Sequence, residues 1–423
     1  MKKICVIGLG YIGLPIACLF AKNGYNVVGV EINKKIIDSI KNKKFNSPET
    51  GLNKLVEEAV NSERFITSNT PEKADAFIIC VPTPLNEKAT VCDLSYVKSA
   101  AISIVSVLER ENIVILESTV PPGTLKNVVV PILEQFGLKA EKDLYVAICP
   151  ERAFPSSLLK ELVENDRIIG GINRKSSEMA KELYSSFVKG KIYLTDSTTA
   201  ETVKLIENTY RDINIALANE LAIISEKLGI NVWEAIELAN KHPRVNVHSP
   251  GPGVGGHCIP KDPWFIFESV PNGSRIIKTA REINDFMPEF TVKLIKKYVN
   301  HLQNPKIALL GVSYKANIND IRDSPSTKII KLLIESGYTV NAHDPYVKDY
   351  EFELYNLEDA IKDADCIAVC VDHEEYKNIN PKNIANLVRN KIIIDTKNCM
   401  NRNLWESYGF NFVLLGDNKS GKW

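Results

Sequence analysis

The sequence has no excess of either charge: 52 lysines and arginines balance 52 aspartates and glutamates. Such a chain exerts no general attraction on nucleic acid or an anionic membrane, and neither is expected as a partner. Any anionic ligand must be held by a local group of basic residues. The sequence also has no CxxC pair. Its nine cysteines (Cys5, Cys18, Cys80, Cys92, Cys149, Cys258, Cys366, Cys370, Cys399) are odd in number and scattered, several inside apolar runs such as FIICV and CIAVCV. That speaks against a disulfide framework or a zinc ribbon and for reduced thiols in a cytoplasmic protein with no bound metal. One stretch without charge, residues 4–21, follows Lys2 and Lys3 and superficially resembles a secretory signal. No small-residue cleavage site follows it, and three glycines and Pro15 interrupt it, so a strand, a turn and a buried helix are expected there.

What is present begins with that turn. Residues 3–10, KICVIGLG, form an apolar run that ends in Gly8, Gly10 and Gly13 at GxGxxG spacing. A helical segment to Lys22, Gly24 and a strand over residues 26–31 complete the context that makes this fingerprint informative. The glycines permit a tight turn and close approach of a pyrophosphate to a helix N-terminus. Glu31 ends the second strand, where a carboxylate accepts hydrogen bonds from ribose hydroxyls and repels a 2′-phosphate. NAD is therefore favoured over NADP. Further strands are expected over 76–81, ending in Pro82-Thr83-Pro84, over 112–117, ending in Ser118-Thr119, and over 144–148, leading to Glu151 and Arg152. Ligands of doubly wound sheets bind at such carboxyl ends.

From about Thr199 the chain runs without glycine or proline to Gly229, which reads as one long helix. Lys204, Asn208 and Arg211 fall on one face of it at i, i+4 and i+7. The stripe is either solvated or a site for a phosphorylated sugar. Helices are expected to about His301, with Pro288 as an interruption, so the middle of the chain reads as all-helical. Within it, residues 249–265 read SPGPGVGGHCIPKDPWF. Gly251, Gly253, Gly255 and Gly256 precede Cys258, and Lys261 and Asp262 follow. This is a loop by composition, with its backbone amides expected to lie close to something bound. Its cysteine is either an activated nucleophile or an incidental buried thiol.

At Lys306 an α/β pattern restarts. GYTVNAHD (337–344) echoes GYNVVGVE (24–31), and ADCIAVCV (364–371) echoes ADAFIICV (74–81). The turn after its first strand keeps only Gly311 and carries Lys315, Asp320 and Arg322, which suits phosphates of a different ligand. The fold class expected is α/β, with two Rossmann-like doubly wound domains joined by a central helical one. Limits are expected at 1–198, 199–304 and 305–423.

Taken together, GLGYIGLP, VPTP, EST, CPER, KLIENTYR, GPGVGGHCIPKDPW and YKANINDIRDSP, in this order, resemble the UDP-glucose/GDP-mannose dehydrogenase family. The resemblance implies a four-electron oxidation of a sugar C6 alcohol to a carboxylate with two NAD⁺. It implies that Cys258 captures the aldehyde as a thiohemiacetal, and that Lys204, Asn208 and an Asp262-held water serve proton transfer. Glu151 would activate the hydrolytic water, with Thr119 nearby. NAD contacts would fall on Gly8, Gly10, Tyr11, Ile12, Gly13, Glu31, Thr83, Thr119 and Arg322. UDP-sugar contacts would fall on Arg152, Lys204, Asn208, Arg211, His242, Arg244, Gly255 and Lys315.

Two departures from the family's pattern stand out: Glu31 where aspartate is frequent, and Lys397 in DTKN where arginine is frequent. Lys397 is carried over as a substrate contact, although it has no bidentate fork. HPRVN, PGPGVGGHC and DPWF most resemble the branch acting on UDP-N-acetylhexosamines, with the N-acetylmannosamine derivative expected first, then N-acetylglucosamine, then UDP-glucose. Arg244 implies a homodimer or higher oligomer through the central helices, and the family usually serves glycan synthesis. Three other readings explain less. A single-hydride β-hydroxyacid dehydrogenase needs neither Cys258 nor a third domain. A non-catalytic NAD-binding protein has no use for Lys204, Cys258 and Asp262 together. A zinc protein built on His257-Cys258 lacks a second ligand pair.

Overall fold

The first strand, β1 (Lys3–Ile7), sends Ile4 and Val6 into one core layer and Cys5 and Ile7 into another, all four buried. A strand buried on both faces belongs to a parallel sheet covered by helices on each side. The computed structural model describes residues 2–47, 49–86, 90–153 and 157–418. They form two compact units, Met1–Glu207 with Trp264–Pro271, and Asn208–Pro263 with Asn272–Trp423.

In the first unit, β1 is followed by α1 (Gly13–Lys22), β2 (Asn26–Val30), β3 (Phe65–Ser68) and β4 (Ala76–Ile79). A small antiparallel hairpin, β5 (Leu85–Asn86) and β6 (Val91–Cys92), precedes β7 (Ile113–Leu116) and β8 (Tyr145–Ile148). Then come β9 (Arg167–Gly171), α2 (Arg174–Tyr184), β10 (Ile192–Asp196) and the start of α3 (Ser197–Leu228). The eight-stranded sheet has the order β10-β9-β8-β7-β4-β1-β2-β3. Strand order reverses between β1 and β4, which opens the ligand crevice of an α/β sheet at their carboxyl ends. All neighbours are parallel except β8 and β9. Nine of the ten residues of α1 are buried, so the helix is covered by the elements packed around it.

The second unit holds the rest of α3, then α4 (Val232–Ala239), the first residues of α5 (Asp262–Ser269), and α6 (Arg275–Val299). Its sheet is built from β11 (Lys306–Leu310), β12 (Thr339–His343), β13 (Cys366–Val369), β14 (Ile392–Asp395) and β15 (Asn411–Leu414), with α7 (Pro325–Glu335) between β11 and β12. The order is β12-β11-β13-β14-β15, parallel throughout. Alternation recurs: Ile307 and Leu309 enter one core, Ala308 and Leu310 the other.

Two expectations change. Pro288 does not interrupt the helix; α6 runs through it. A proline inside a helix costs about 3 kcal/mol. Here Met287, Pro288, Thr291 and Val292 are all buried on the two turns around it, and that packing holds the helix together. Strands β9, β10, β3 and β15 were also not expected. Arg167–Gly171 ends in two glycines, which lower strand propensity. No helix among the described residues is long and apolar enough to cross a membrane.

Candidate active site

After β1 the chain turns sharply at Gly8, whose φ of 92° lies where side chains are strained. A methyl group on Gly13 would lie 1.9 Å from the Gly8 carbonyl oxygen, so α1 packs onto the turn only because Gly13 has none. Gly10 differs: nothing lies within 4 Å of where its methyl group would point. Ile12 gives α1 no side-chain cap. Leu14 and Ile16 donate their amides to the Gly10 and Ile12 carbonyls, both at 3.2 Å, and Pro15 has none, so the Gly13 amide is the one of the first four in α1 left to meet an anion. Glu31 follows β2, and its carboxylate accepts the Leu9 amide at 3.0 Å and the Asn33 amide at 2.9 Å. That anchors the carboxylate beside the glycine turn with lone pairs remaining for hydroxyl donors. The Tyr11 hydroxyl reaches Glu49 at 2.5 Å.

The loops after β4 and β7 are tied together by Ser118. Its hydroxyl accepts the Val81 amide at 3.0 Å and donates to the Val81 carbonyl at 2.7 Å. Thr83 is buried and Thr119 half-buried beside these anchors. Beyond β8, one oxygen of Glu151 accepts the amides of Arg152 at 2.6 Å and Ala153 at 2.5 Å. Its other oxygen lies 3.2 Å from Arg167 Nη2. Arg152, expected at the sugar nucleotide, bonds Glu207 at 2.6 Å and the Asp166 carbonyl at 2.8 Å. Lys204 lies half-buried on α3.

In the second unit, Cys258 is exposed, alone among the nine cysteines. Burial pushes the Cys5 thiol up to about 11 and the Cys370 thiol up to about 12, so they are inert at neutral pH. The Cys258 carbonyl accepts the amides of Lys261 (3.1 Å) and Asp262 (2.9 Å), which folds the cysteine back against the start of α5. Asp262, buried, accepts the Asn208 amide at 2.5 Å, and Arg211 donates to Asn208. Three residues expected at the site thus form one hydrogen-bonded chain. Lys261 Nζ lies 2.9 Å from His257 Nε2. Burial, with the charges of Lys261 and Arg322, pushes His257 down to about 4, and burial also lowers Lys261. His257 is thus neutral at pH 7 and accepts from the Lys261 ammonium.

The glycine run is explained differently from the expectation of a ligand against its amides. A methyl group on Gly255 would lie 2.7 Å from the Asp323 carbonyl oxygen, and one on Gly256 2.9 Å from the Tyr314 ring. The Gly256 amide donates to the Arg322 carbonyl at 2.9 Å. These glycines let the loop lie on its own chain. The Gly251 amide is held at 2.9 Å by Asn219, which begins a buried chain through Asn284 to Asp212 and Arg281.

Three family models cover the chain. They describe the NAD binding domain (residues 2–188), the central domain (198–286) and the UDP binding domain (308–402) of the UDP-glucose/GDP-mannose dehydrogenase family. A UDP-N-acetyl-D-mannosamine dehydrogenase of Methanocaldococcus jannaschii is 54% identical over 99% of this chain and 97% of its own. The solved UDP-D-ManNAc dehydrogenase of Pyrococcus horikoshii is 41% identical, with a TM-score of 0.92 over 99% of this chain and 100% of that one. An NDP-N-acetyl-D-galactosaminuronic acid dehydrogenase of Ralstonia solanacearum is 42% identical over 94% of this chain and 96% of its own.

The chain belongs to the UDP-glucose/GDP-mannose dehydrogenase family. It is an NAD-dependent dehydrogenase of a UDP-linked sugar. The first unit's residues fit that cofactor: the open space at Gly10, the uncapped helix start and the anchored Glu31 carboxylate suit a pyrophosphate and a ribose.

Other residues expected from the family's motifs sit apart from these clusters or are already engaged. Arg322 bonds Asp320 at 2.5 Å and is exposed. His242 and Arg244 are exposed, on the loop after α4. Lys397 lies 3.7 Å from Asp372, with its ammonium 3.6 Å from where a Gly251 methyl would sit. The carbonyl of Lys315 accepts from Ser313 at 2.8 Å. Sequence reasoning missed what holds that turn. Asp344, the counterpart of Glu31, accepts the amides of Val312 (2.8 Å) and Ser313 (3.1 Å). Buried His373 lies 3.1 Å from Asp344 and accepts the Asn317 amide at 2.8 Å. The GYNVVGVE and GYTVNAHD echo was the signal for Asp344; nothing nearby in sequence pointed to His373.

Proposed function

We propose that this chain oxidises C6 of UDP-N-acetyl-D-mannosamine to the uronic acid, consuming two NAD⁺ per sugar. The similarity to the Methanocaldococcus jannaschii enzyme along nearly the whole chain carries the choice of sugar. Bound NAD⁺ supplies the hydride acceptor for both oxidations. Lys204, Asn208 and a water on Asp262 take the C6 hydroxyl proton and stabilise negative charge on that oxygen. Donors of this kind are each worth about 3–4 kcal/mol. Cys258 Sγ adds to the aldehyde carbon, giving a thiohemiacetal that cannot diffuse away; its oxidation leaves an acyl thioester. Glu151 takes a proton from water as the water oxygen attacks that thioester, and Cys258 leaves with the sulfur's electron pair. Thr119 stands beside this water. The exposure of Cys258 among eight less accessible cysteines supports its part.

In this reading Gly8, Gly10, Tyr11, Ile12, Gly13, Glu31, Thr83, Thr119 and Arg322 hold NAD. Arg152, Arg211, His242, Arg244, Gly255, Lys315 and Lys397 hold the UDP-sugar with Lys204 and Asn208. The domain limits are those read from the sequence, 1–198, 199–304 and 305–423, and the enzyme works in the cytoplasm. Given NAD⁺ and a panel of UDP-sugars, purified protein should make two NADH per sugar, fastest with the N-acetylmannosamine derivative. Faster turnover of the glucosamine, galactosamine or glucose compound would overturn the choice of sugar. One NADH per sugar with free aldehyde would overturn the two-step course.

The assembly is a homodimer in the same reading. Tyr210, Leu217, Ile224 and Leu228 recur along α3 at helical spacing with 58, 44, 41 and 66% of their surface exposed. A row of large apolar side chains this exposed marks an interaction face. Light scattering should return at least twice the chain mass, falling to the monomer in Leu217→Arg; a wild-type monomer would refute it.

A further inference from the structure

We propose that Arg167 is a positioning residue for thioester hydrolysis, clamping the Glu151 carboxylate in place from a buried site it shares with Glu117 and Tyr184. The inference rests on the role given above to Glu151 and Cys258.

The geometry begins with the one antiparallel pairing of the first unit's sheet. Strands β8 and β9 pair Ala147 with Gly171 and Ile148 with Gly170. Each step forward along one strand is a step back along the other, so three residues past Ile148 the register brings Glu151 opposite Arg167. A parallel β9 would put its first residue at the other end of the sheet. The reversal delivers an arginine to the carboxyl end, where the family's ligands bind.

Arg167 is only 3% exposed, and its contacts divide its guanidinium. Nη2 lies 3.2 Å from Glu151 and 3.4 Å from the Leu162 carbonyl. Nη1 donates to Glu117 at 2.8 Å. The ring of Tyr184 packs against the guanidinium at 5.3 Å, and the Tyr184 hydroxyl donates to the second oxygen of Glu117. Burial pushes the Glu117 carboxyl up to about 7, Arg167 opposes that rise, and the charge of Glu151 adds to it. Glu117 therefore depends on the guanidinium for its charge, and Arg167 divides itself, Nη1 serving Glu117 and Nη2 serving Glu151.

The other Glu151 oxygen is already held by two backbone amides. Together these donors fix both oxygens and use three of the four lone-pair sites, so the carboxylate presents the one that remains in a single direction. That matters in hydrolysis. Water adds its oxygen to the acyl carbon, one of its protons passes to Glu151, and the C–S bond breaks with its electron pair leaving on Cys258. A base displaced by about 1 Å costs on the order of 100-fold in such a step. The hydride steps do not use Glu151.

Removing Arg167 alone would leave Glu117 buried and unpaired and can unfold the chain. The double variant Arg167→Met/Glu117→Gln removes clamp and counter-charge together. With UDP-N-acetylmannosamine and NAD⁺, kcat should fall about 100-fold and the KM for the sugar should fall with it, leaving kcat/KM near wild type, because only the step after acyl-enzyme formation is slowed. Intact-protein mass should show the acyl adduct accumulating on Cys258, as in Glu151→Gln. Wild-type turnover without adduct, while Glu151→Gln does accumulate it, overturns the role of Arg167 and leaves the reading of Glu151 standing. No adduct in either variant overturns both. Should the double variant fail to fold, Arg167→Lys carries the same test, because one ammonium cannot reach both carboxylates. Slow hydrolysis with adduct supports the clamp, and wild-type hydrolysis refutes it.

Discussion

Cys258→Ser should abolish uronic acid formation, lowering the two-NADH turnover by about 10³-fold or more, while NAD binding stays within about twofold of wild type. The asymmetry follows from where the residues sit. The glycine turn, Glu31 and Thr83 belong to the first unit, and Cys258 to a loop of the second. A serine hydroxyl is similar in size but is a poor nucleophile at neutral pH, and an oxygen hemiacetal releases its aldehyde readily. No other cysteine can take over. Six of the other eight are buried and two are only partly accessible. Isothermal titration with NAD⁺ and a count of NADH per sugar are the two measurements. Uronic acid made by the variant at the wild-type rate would remove Cys258 from the chemistry.

What was legible in the sequence was local. The strand–glycine–helix–strand start needs only residues 3–31, and each part carries its own signal: an apolar run, fixed glycine spacing, a carboxylate at a strand end. Helix α3 was legible because 32 residues without glycine or proline admit little else. The second α/β unit was legible because it repeats the first one's pattern. What stayed hidden depends on pairing across distance. Arg167 lies in NDRIIGG, with nothing beside it in sequence to mark it; the antiparallel register brings it to Glu151 and Glu117, 16 and 50 residues away. Asn219, Asn284, Asp212 and Arg281 are ordinary polar residues of long helices until folding buries them together beneath Gly251. The glycines near Cys258 suggested a ligand against the backbone, because composition cannot tell a bound molecule from the chain's own Tyr314 and Asp323. Asn208 and Arg211 were placed on one face by spacing, but their link to Asp262 required α5 to begin where it does.

The turn before α1 allows a sharper test, because its glycines are needed for different reasons. At Gly13 an added methyl group meets the Gly8 carbonyl at 1.9 Å and the Cys80 Cβ at 3.0 Å. Neither neighbour is the far end of a flexible side chain, so the helix itself must move. Overpacking of this kind costs about 1–3 kcal/mol or more, which for a chain with large units lowers Tm by about 3–10 °C. Gly13→Ala should therefore melt early without any ligand, and lose NAD affinity as a consequence. Gly10→Ala should behave in the opposite way. Its methyl group enters open space, so Tm without ligand should match wild type. That same space is where a pyrophosphate must approach the turn and the start of α1, so NAD⁺ affinity should fall about 10- to 100-fold, the equivalent of about 1.4–3 kcal/mol. Binding of UDP to the same variant is the control and should not change, since Gly10 lies in the first unit and the UDP binding domain in the second. Two measurements on each variant, a melt without ligand and a titration with NAD⁺, separate a glycine required by packing from one required by the cofactor. Unaltered NAD⁺ affinity in Gly10→Ala would mean that the pyrophosphate does not cross this turn, and the cofactor reading of the fingerprint would fall with it.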